Sequence, residues 1–348
     1  MRFAPLLAAA AATALALLAG TTPARATDLA IVTGSSSGTY IQFGRDMAGV
    51  AAPAGIRLDV RESAGSLTNS YAVRYTPGVQ LGIVQSDVMG FLRARSEGLV
   101  GRTLAAEDLT DLRDLVDSLK LVLPLYIEEV HVLARREIRS LADLAGRRVS
   151  VGRNGGGTFI TADQLFRVAG VEIERIQNLA TNDAIELMRD GTIDAMVYVV
   201  GQPASAFVEQ VSASDDFHFL PISEPRLLEI YDAAVIEPAS YPWLDMPVQS
   251  IGVRSLLVSY DYEGEENCAA IGQLARVVSD NIQALRGSGH PKWRGVALDA
   301  RVAAWERYRC VASAGGAAPV PGGSAPGGTG GGTGGSTGGA SILKRFSR

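Results

Sequence analysis

The stretch that decides the fold is Leu29 to Met47, which reads LAIVTGSSSGTYIQFGRDM. A short apolar, β-prone run is followed by glycine and hydroxyl residues from Gly34 to Thr39, and a helix-compatible segment begins at Tyr40. This order predicts a strand, a tight loop and a helix. Such a loop directs backbone N–H groups and hydroxyls at the positive end of a helix, so it can hold a carboxylate or phosphate without a charged side chain.

The same order of elements recurs near the middle of the chain. Arg148 to Gly152 is predicted as a strand, Asn154 to Thr158 as a small-residue loop and Phe159 to Ala169 as a helix. A shorter turn, Ser63 to Ser66, opens a helix over Leu67 to Tyr75, with Ser66 placed to cap its N-terminus. Two anion-ready loops in two halves of the chain predict a ligand held between the halves.

Predicted strands and helices alternate along the body of the chain. This alternation predicts an α/β fold with mostly parallel sheets flanked by helices, in which ligands bind beyond the carboxyl ends of the strands. Further predicted strands are Ile56 to Glu62, Val79 to Val84, Leu121 to Leu125, Val130 to Leu133, Ala195 to Val200 and Ile251 to Tyr260, and late helices are predicted over Asn267 to Arg286 and Asp299 to Cys310.

The two ends of the chain differ from the body in composition. Residues 1–26 combine Arg2, an alanine-rich apolar run and Ala24-Arg25-Ala26, which is typical of a cleaved signal peptide; an uncleaved anchor is the alternative. Residues 313–348 form a tail dominated by Gly, Ser, Thr, Ala and Pro, and we expect this tail to be disordered. The sequence therefore predicts a soluble, exported protein.

Charge and residue content argue against several partners. The net charge of −5 becomes about −10 for residues 27–312 alone, which argues against nucleic acid or an anionic membrane surface. The sequence has three histidines and no His/Cys cluster, so no metal site is predicted. The two cysteines, Cys268 and Cys310, are an even pair in an exported chain and predict a disulfide; two buried thiols are the alternative.

Six motifs occur in the order of a known family. The motifs are Val32-Thr33-Gly34 with Gly38-Thr39-Tyr40, Gly65-Ser66 with Asn69, Leu81 to Asp87, Leu141 to Val151 with Gly157-Thr158, Asp190 to Ala195, and Gly201-Gln202-Pro203. On these motifs the chain resembles the TAXI family of solute-binding proteins of TRAP transporters, over about Asp28 to Asp261.

The resemblance implies a two-lobed periplasmic-binding-protein clamshell. Residues 27–133 and 222–312 would form lobe 1, and residues 134–221 would form lobe 2. Such a monomer would capture a small organic anion, either a glutamate-like amino acid or a dicarboxylate, and deliver it to the membrane subunits of a TRAP transporter. Neither catalysis nor a cofactor is implied.

The candidate ligand-binding residues lie in the predicted loops and at strand ends. Each has a structural alternative, since hydroxyl and amide side chains also cap helices and close turns, and Tyr198 is placed for either core or cleft. Arg153 is a possible anion contact through a charge-assisted hydrogen bond, or else a solvated loop residue. The candidates are Ser35, Ser36, Thr39, Tyr40, Ser66, Asn69, Gln85, Asn154, Gly157, Thr158 and Tyr198.

Two other functions fit parts of the sequence. A binding module that serves a sensor kinase would have the same cleft. An exported serine hydrolase is the more remote alternative, because Gly34-Ser36-Gly38 fits G-x-S-x-G between a strand and a helix. A triad would also need a histidine beside this loop, and His131, His218 and His290 are all predicted elsewhere.

Overall fold

One mixed sheet of ten strands organises the residues that the computed structural model describes, which are 27–100, 105–176, 178–262 and 264–312. The predicted signal peptide and glycine-rich tail lie outside these residues. The strands are β1 (Thr27–Val32), β2 (Ile56–Arg61), β3 (Leu81–Gln85), β4 (Leu119–Arg135), β5 (Arg148–Ser150), β6 (Glu174–Ile176), β7 (Ala195–Val200), β8 (Phe217–Phe219), β9 (Asp232–Ile236) and β10 (Val248–Tyr260).

Two parallel groups of strands are joined by two long antiparallel strands. The order is β2-β1-β3-β10-β4-β7-β5-β6, with β1 parallel to β2 and β3, and β5 parallel to β6 and β7. Strands β10 and β4 are antiparallel to each other and to the groups that they border. The two-lobed α/β prediction is confirmed, with the addition that β4 and β10 run through both lobes. The residue bounds of the lobes stay a prediction.

Helices cover both faces of each half of the sheet. In the first half, alternate strand residues face opposite sides: Ile31 and Ile83 pack against α1 and α9, whereas Val32 and Val84 pack against α2, α3 and α4. In the second half, Val197 faces α5 and Met196 faces α6 and α7. The helices are α1 (Thr39–Ala51), α2 (Ser66–Tyr75), α3 (Val88–Ser96), α4 (Ala106–Ser118), α5 (Gly157–Ala169), α6 (Thr181–Arg189), α7 (Ser205–Gln210), α8 (Pro225–Leu228), α9 (Glu265–Asp280), α10 (Ile282–Ser288) and α11 (Arg309–Ala312).

The described helices were also compared with the length of a membrane span. The longest, α9, has 16 residues, and none of those described is both long and apolar enough to cross a bilayer.

Three sequence predictions are corrected by the structure. Leu121–Leu125 and Val130–Leu133 are parts of the single strand β4, because a register shift against β10 accommodates Pro124 within the strand. The predicted helix over Asn267–Arg286 is interrupted at Asn281, between α9 and α10.

The third correction concerns Asp299 to Cys310, which is helical only from Arg309 onward. The backbone before α11 bonds to β4 instead: the N–H of Leu121 donates to Glu306, and the N–H of Tyr308 donates to Leu121, both at 2.8 Å. The segment therefore lies along β4 as an extended bridge.

A disulfide joins Cys268 in α9 to Cys310 in α11, with Cα atoms 5.6 Å apart. The close approach depends on Gly272, where a Cβ would lie 2.9 Å from the carbonyl oxygen of Cys310. The bond fixes the end of the described chain to the helical layer over the first lobe.

Candidate functional site

A cavity of about 380 Å³ lies between the two lobes, beyond the carboxyl ends of β1, β3 and β5. Nine of the predicted ligand residues line it, namely Ser35, Ser36, Thr39, Tyr40, Ser66, Gln85, Gly157, Thr158 and Tyr198, together with Arg153. The wall as a whole consists of residues 34–40, 63–66, 179–183 and 196–200 with Gln85, Glu128, Ser150, Gly152, Arg153, Gly156, Gly157 and Thr158.

Three helices begin at the cavity wall. The residues that precede α1, α2 and α5 are Gly38, Gly65 and Gly156, which have no side chain to accept the first N–H groups of the helix. These N–H groups carry the positive end of each helix dipole and are suited to bind an anion. Because Gly65 is the N-cap of α2, the prediction that Ser66 caps this helix is wrong.

Ser66 has another role, because it links the turn of residues 63–66 to the end of β3. Its Oγ accepts the backbone N–H of Gln85 at 3.0 Å and lies 3.4 Å from the hydroxyl of Tyr40. Ser66 is fully buried at the start of α2. The side chain therefore fixes the relative positions of two cavity residues, one on β3 and one on α1.

Gln85 lies against the start of α5 from the opposite lobe. Its side chain is 1% exposed, and its Oε1 has no hydrogen-bond partner among the described residues. A Cβ at Gly157 would overlap this oxygen, so only glycine allows the approach. A buried acceptor without a donor is costly, and at a cavity wall it is ready to receive a donor from a ligand.

Glu128 is a cavity residue that the sequence analysis missed. It lies in the middle of β4, is 2% exposed, and accepts hydrogen bonds from the hydroxyls of Tyr40 at 3.0 Å and Tyr126 at 3.3 Å. Burial raises the pKa of Glu128 to about 8 despite these bonds. The sequence did carry a signal, since two adjacent acids in an apolar 17-residue strand are unusual.

Glu129, next to it on β4, is partnered differently. Its carboxylate forms an ion pair with Lys292 and accepts the backbone N–H of Gln202 at 3.0 Å. Of the two neighbouring acids, Glu129 is ion-paired and lies outside the cavity wall, whereas Glu128 lies on the wall without an ion-pair partner among the described residues.

Two predicted ligand residues, Asn69 and Asn154, are not on the cavity wall. The Asn69 side chain is used within lobe 1: its Nδ2 donates to the carbonyl of Ile83 at 2.7 Å and to that of Thr33, and its Oδ1 accepts from Ser63 at 2.6 Å. The Asn69 side chain thus joins β3 to the residue that follows β1 and to the turn of residues 63–66.

Hydrogen bonds between the lobes surround the cavity. The N–H of Thr68 donates to Gly155 at 2.9 Å, and the hydroxyl of Thr39 donates to Gly201 at 3.1 Å. Asp87, which follows β3 in lobe 1, accepts the hydroxyl of Thr161 from lobe 2 at 2.8 Å. It also accepts the hydroxyl of Tyr231 at 3.0 Å, and burial raises its pKa to about 6. The two lobes are therefore closed on one another, and Thr39 serves this contact.

Tyr198 and Thr158 lie on the lobe 2 side of the wall. Burial raises the pKa of Tyr198, whereas the neighbouring side chains of Thr181 and Ser35 act to lower it. The Oγ1 of Thr158 accepts the N–H of Val199 at 3.2 Å. Tyr198 thus reaches from lobe 2 to the first loop, and Thr158 holds α5 against β7.

The three histidines lie away from the loop of Gly34, Ser36 and Gly38. His131 is buried between the Glu129 carbonyl and the Tyr241 hydroxyl, and burial lowers its pKa to about 3. His218 bonds the carbonyl of Ile138 at 2.6 Å, and His290 accepts the N–H of Lys292. None of the three lines the cavity, so the serine loop has no histidine base there.

Comparisons with known proteins place the chain in a family. The model of the NMT1-like family matches residues 31–304. Among solved structures, a periplasmic transporter is 17% identical with a TM-score of 0.48 and coverage of 77% of this chain and 88% of that one. MatC from Rhodopseudomonas palustris with bound malate is 13% identical with a TM-score of 0.48, covering 78% and 90%. The GluR0 ligand-binding core with L-glutamate is 12% identical with a TM-score of 0.43, covering 79% and 100%.

The assignment rests on the family match, which spans more than half of the chain and includes every residue of the cavity wall, from Gly34 to Val200. It confirms the resemblance inferred from the six motifs. The chain therefore belongs to the NMT1-like family and is a solute-binding receptor of the TAXI type.

Proposed function

We propose that the protein is an extracytoplasmic receptor that captures a small organic anion between its lobes and delivers it to the membrane subunits of a TRAP-type transporter. The observation that carries this proposal is the convergence of three glycine-preceded helix starts on one closed cavity. The proposed ligand is a glutamate-like amino acid or a dicarboxylate. The proposed location is the periplasm, and the proposed state is a monomer.

Charge supports an anion held by dipoles. The body of the chain is acidic, and Arg153 is the one cationic side chain among the described residues of the cavity wall. An anion in this cavity must therefore depend mainly on backbone N–H groups and the hydroxyls of Ser35, Ser36 and Ser66. Neutral donors of this kind can bind a carboxylate with little loss of conformational entropy, because the fold fixes their positions before the ligand arrives.

The size of the cavity limits the ligand to a small molecule. About 380 Å³ is at the lower end of ligand pockets and suits a metabolite of a few carbons. Both lobes supply the wall, so a bound molecule would stabilise the closed form that the inter-lobe hydrogen bonds already define.

A thermal-shift screen tests the proposal directly. Amino acids, dicarboxylates and hydroxy acids are added at millimolar concentration to the mature protein, and a ligand at 100 times its Kd should stabilise it by about 2.7 kcal/mol. We expect at least one acid to raise the Tm and amines without a carboxylate to leave it unchanged. If no acid stabilises the protein, the receptor assignment for organic anions is wrong.

A further inference from the structure

One part of the cavity wall holds a carboxyl group and an amide oxygen that have no cationic partner among the described residues. The Gln85 Oε1 is buried and has no hydrogen-bond partner among the described residues. The Glu128 carboxyl accepts hydrogen bonds from two tyrosine hydroxyls, those of Tyr40 and Tyr126. Ser66 connects the two, since its Oγ bonds the Gln85 backbone and lies 3.4 Å from the Tyr40 hydroxyl that donates to Glu128. We call Gln85 and Glu128 the acceptor corner. A cation there would pair with the Glu128 carboxylate and donate to the Gln85 oxygen.

The charged groups around Glu128 leave its carboxyl unbalanced. On β4, Glu129 is paired with Lys292; after β3, Asp87 accepts from Thr161 and Tyr231. Tyr40 and Tyr126, which face it from α1 and β4, are neutral donors, and their own pKa values are raised by burial. The remaining ionisable wall residues are Arg153, Asp183 and Tyr198. Within the described parts of the chain, no Lys, Arg or His forms an ion pair with Glu128.

We propose that the acceptor corner binds a protonated amino group of the ligand, with Glu128 as the counter-ion and the Gln85 amide oxygen as a second acceptor. The inference rests on the proposed function, because the ligand's carboxylate is assigned to the helix starts. It makes the ligand a zwitterionic amino acid rather than a plain dicarboxylate, which would supply no cation to Glu128 and no donor to the Gln85 oxygen.

The direction of the pH dependence follows from the proton balance. Without ligand, Glu128 is mostly protonated at neutral pH; with an ammonium group beside it, the carboxylate form is favoured. Protons therefore bind the free receptor more tightly than the complex, and lowering the pH weakens ligand binding. The affinity should fall by up to about tenfold per pH unit between pH 7.5 and 6.

The test uses pairs of acids that differ only in an amino group: L-glutamate with glutarate, L-aspartate with succinate, and L-leucine with 4-methylpentanoate. Calorimetry in phosphate and in Tris gives both the affinity and the number of protons released. We expect the amino member of at least one pair to bind at least tenfold more tightly and to release close to one proton at pH 7.

Glu128→Gln keeps the shape and neutrality of the protonated residue. It should weaken binding of the amino acid at least tenfold and abolish proton release, with folding verified by circular dichroism. Glu137→Gln makes the same chemical change at an exposed residue outside the cavity, and as the matched control it should retain both properties.

The outcomes separate the inference from the function on which it rests. If the deaminated acid binds as tightly as its partner, the acceptor corner does not bind an ammonium group, while the organic-anion receptor stands. If the amino acid binds more tightly but releases no proton, Glu128 is already ionised in the free receptor and the expected pH dependence is wrong. If no acid of either kind binds, the proposed function fails and the inference fails with it.

Discussion

At the scale of single residues, the cavity depends on small side chains as much as on polar ones. Gly157 was predicted as a ligand residue for its backbone N–H, and the structure adds a steric requirement from Gln85 in the other lobe. Gly65 and Gly156 make a similar approach, since a Cβ at Gly65 would lie 3.3 Å from the Cα of Gly156. The lobes thus meet through backbone atoms at the point where the ligand is proposed to bind.

Gly157→Ala should therefore affect closure and binding more than folding. The new methyl group would overlap the Gln85 Oε1 and lie 2.6 Å from the Ser66 Oγ, so the closed form must shift or Gln85 must turn away. We expect at least a tenfold loss of affinity by calorimetry for the ligand that the screen identifies.

Gly90→Ala in α3 is the control for Gly157→Ala, because a Cβ at Gly90 meets no atom within 4 Å. It should leave binding unchanged and favour the helix by roughly 0.5–1 kcal/mol. An unchanged affinity in Gly157→Ala would show that Gln85 yields without cost.

At the scale of elements, local patterns predicted most of what local physics determines. The strand, small-residue loop and helix after Leu29 and after Arg148 are as predicted, because hydrophobic periodicity and glycine placement are local signals. The misses have non-local causes. Strand β4 continues through Pro124 only because β10 shifts register, and residues 306–308 are extended because Leu121 supplies their hydrogen-bond partners.

The same limit explains which site residues the sequence could find. Loop residues such as Ser35 and Ser36 follow from the motif in which they lie, whereas Glu128 reaches the cavity only because β4 crosses between the lobes. Asn69 is the opposite case: its place in a motif suggested a ligand contact, but its side chain is already hydrogen-bonded to Thr33, Ile83 and Ser63, which the motif does not reveal.

The disulfide between α9 and α11 leads to a prediction about stability. Its cysteines are 42 residues apart, and closing a loop of that length restricts the unfolded chain by about 4 kcal/mol in the chain-entropy model. The double variant Cys268→Ser with Cys310→Ser should lower the free energy of unfolding by about this amount in urea denaturation. Ligand affinity should be unchanged, because neither cysteine lies at the cavity. A loss below about 1 kcal/mol would contradict the entropic account.

At the scale of the whole molecule, the closed form gathers ionisable groups that prefer to be neutral. Burial raises the pKa of Glu128 to about 8 and that of Asp87 to about 6, whereas it lowers that of His131 to about 3 and that of His290 to about 4. The acids lie at the cavity wall and at a contact between the lobes, and the histidines lie in the packed interior. Both pairs make the stability of the fold depend on pH: a rise in pH removes the contribution of the two acids, and a fall in pH removes that of the two histidines.

The opposite signs predict an unusual stability profile for the protein without ligand. The acids bind protons more tightly when folded, so their contribution is full below their unfolded pKa values of about 4 and is lost as pH rises through 6 and 8. The histidines contribute above their unfolded pKa of about 6.5 and lose that contribution as pH falls toward 4. The two effects offset each other between about pH 5 and 6.5, which predicts a plateau there.

Above pH 6.5, Glu128 is the one of these four groups that stays protonated in the folded state and loses its proton as the pH rises further. The free energy of unfolding should therefore fall by about 1 kcal/mol in total between pH 6.5 and 8.5. Urea denaturation at each pH measures the profile. Glu128→Gln, which cannot ionise, should flatten the decline, whereas Asp183→Asn should retain it, because Asp183 is an exposed residue of the same wall. A wild-type profile that is flat up to pH 8.5, or a decline that persists in Glu128→Gln, would mean that Glu128 is ionised in the folded receptor at neutral pH.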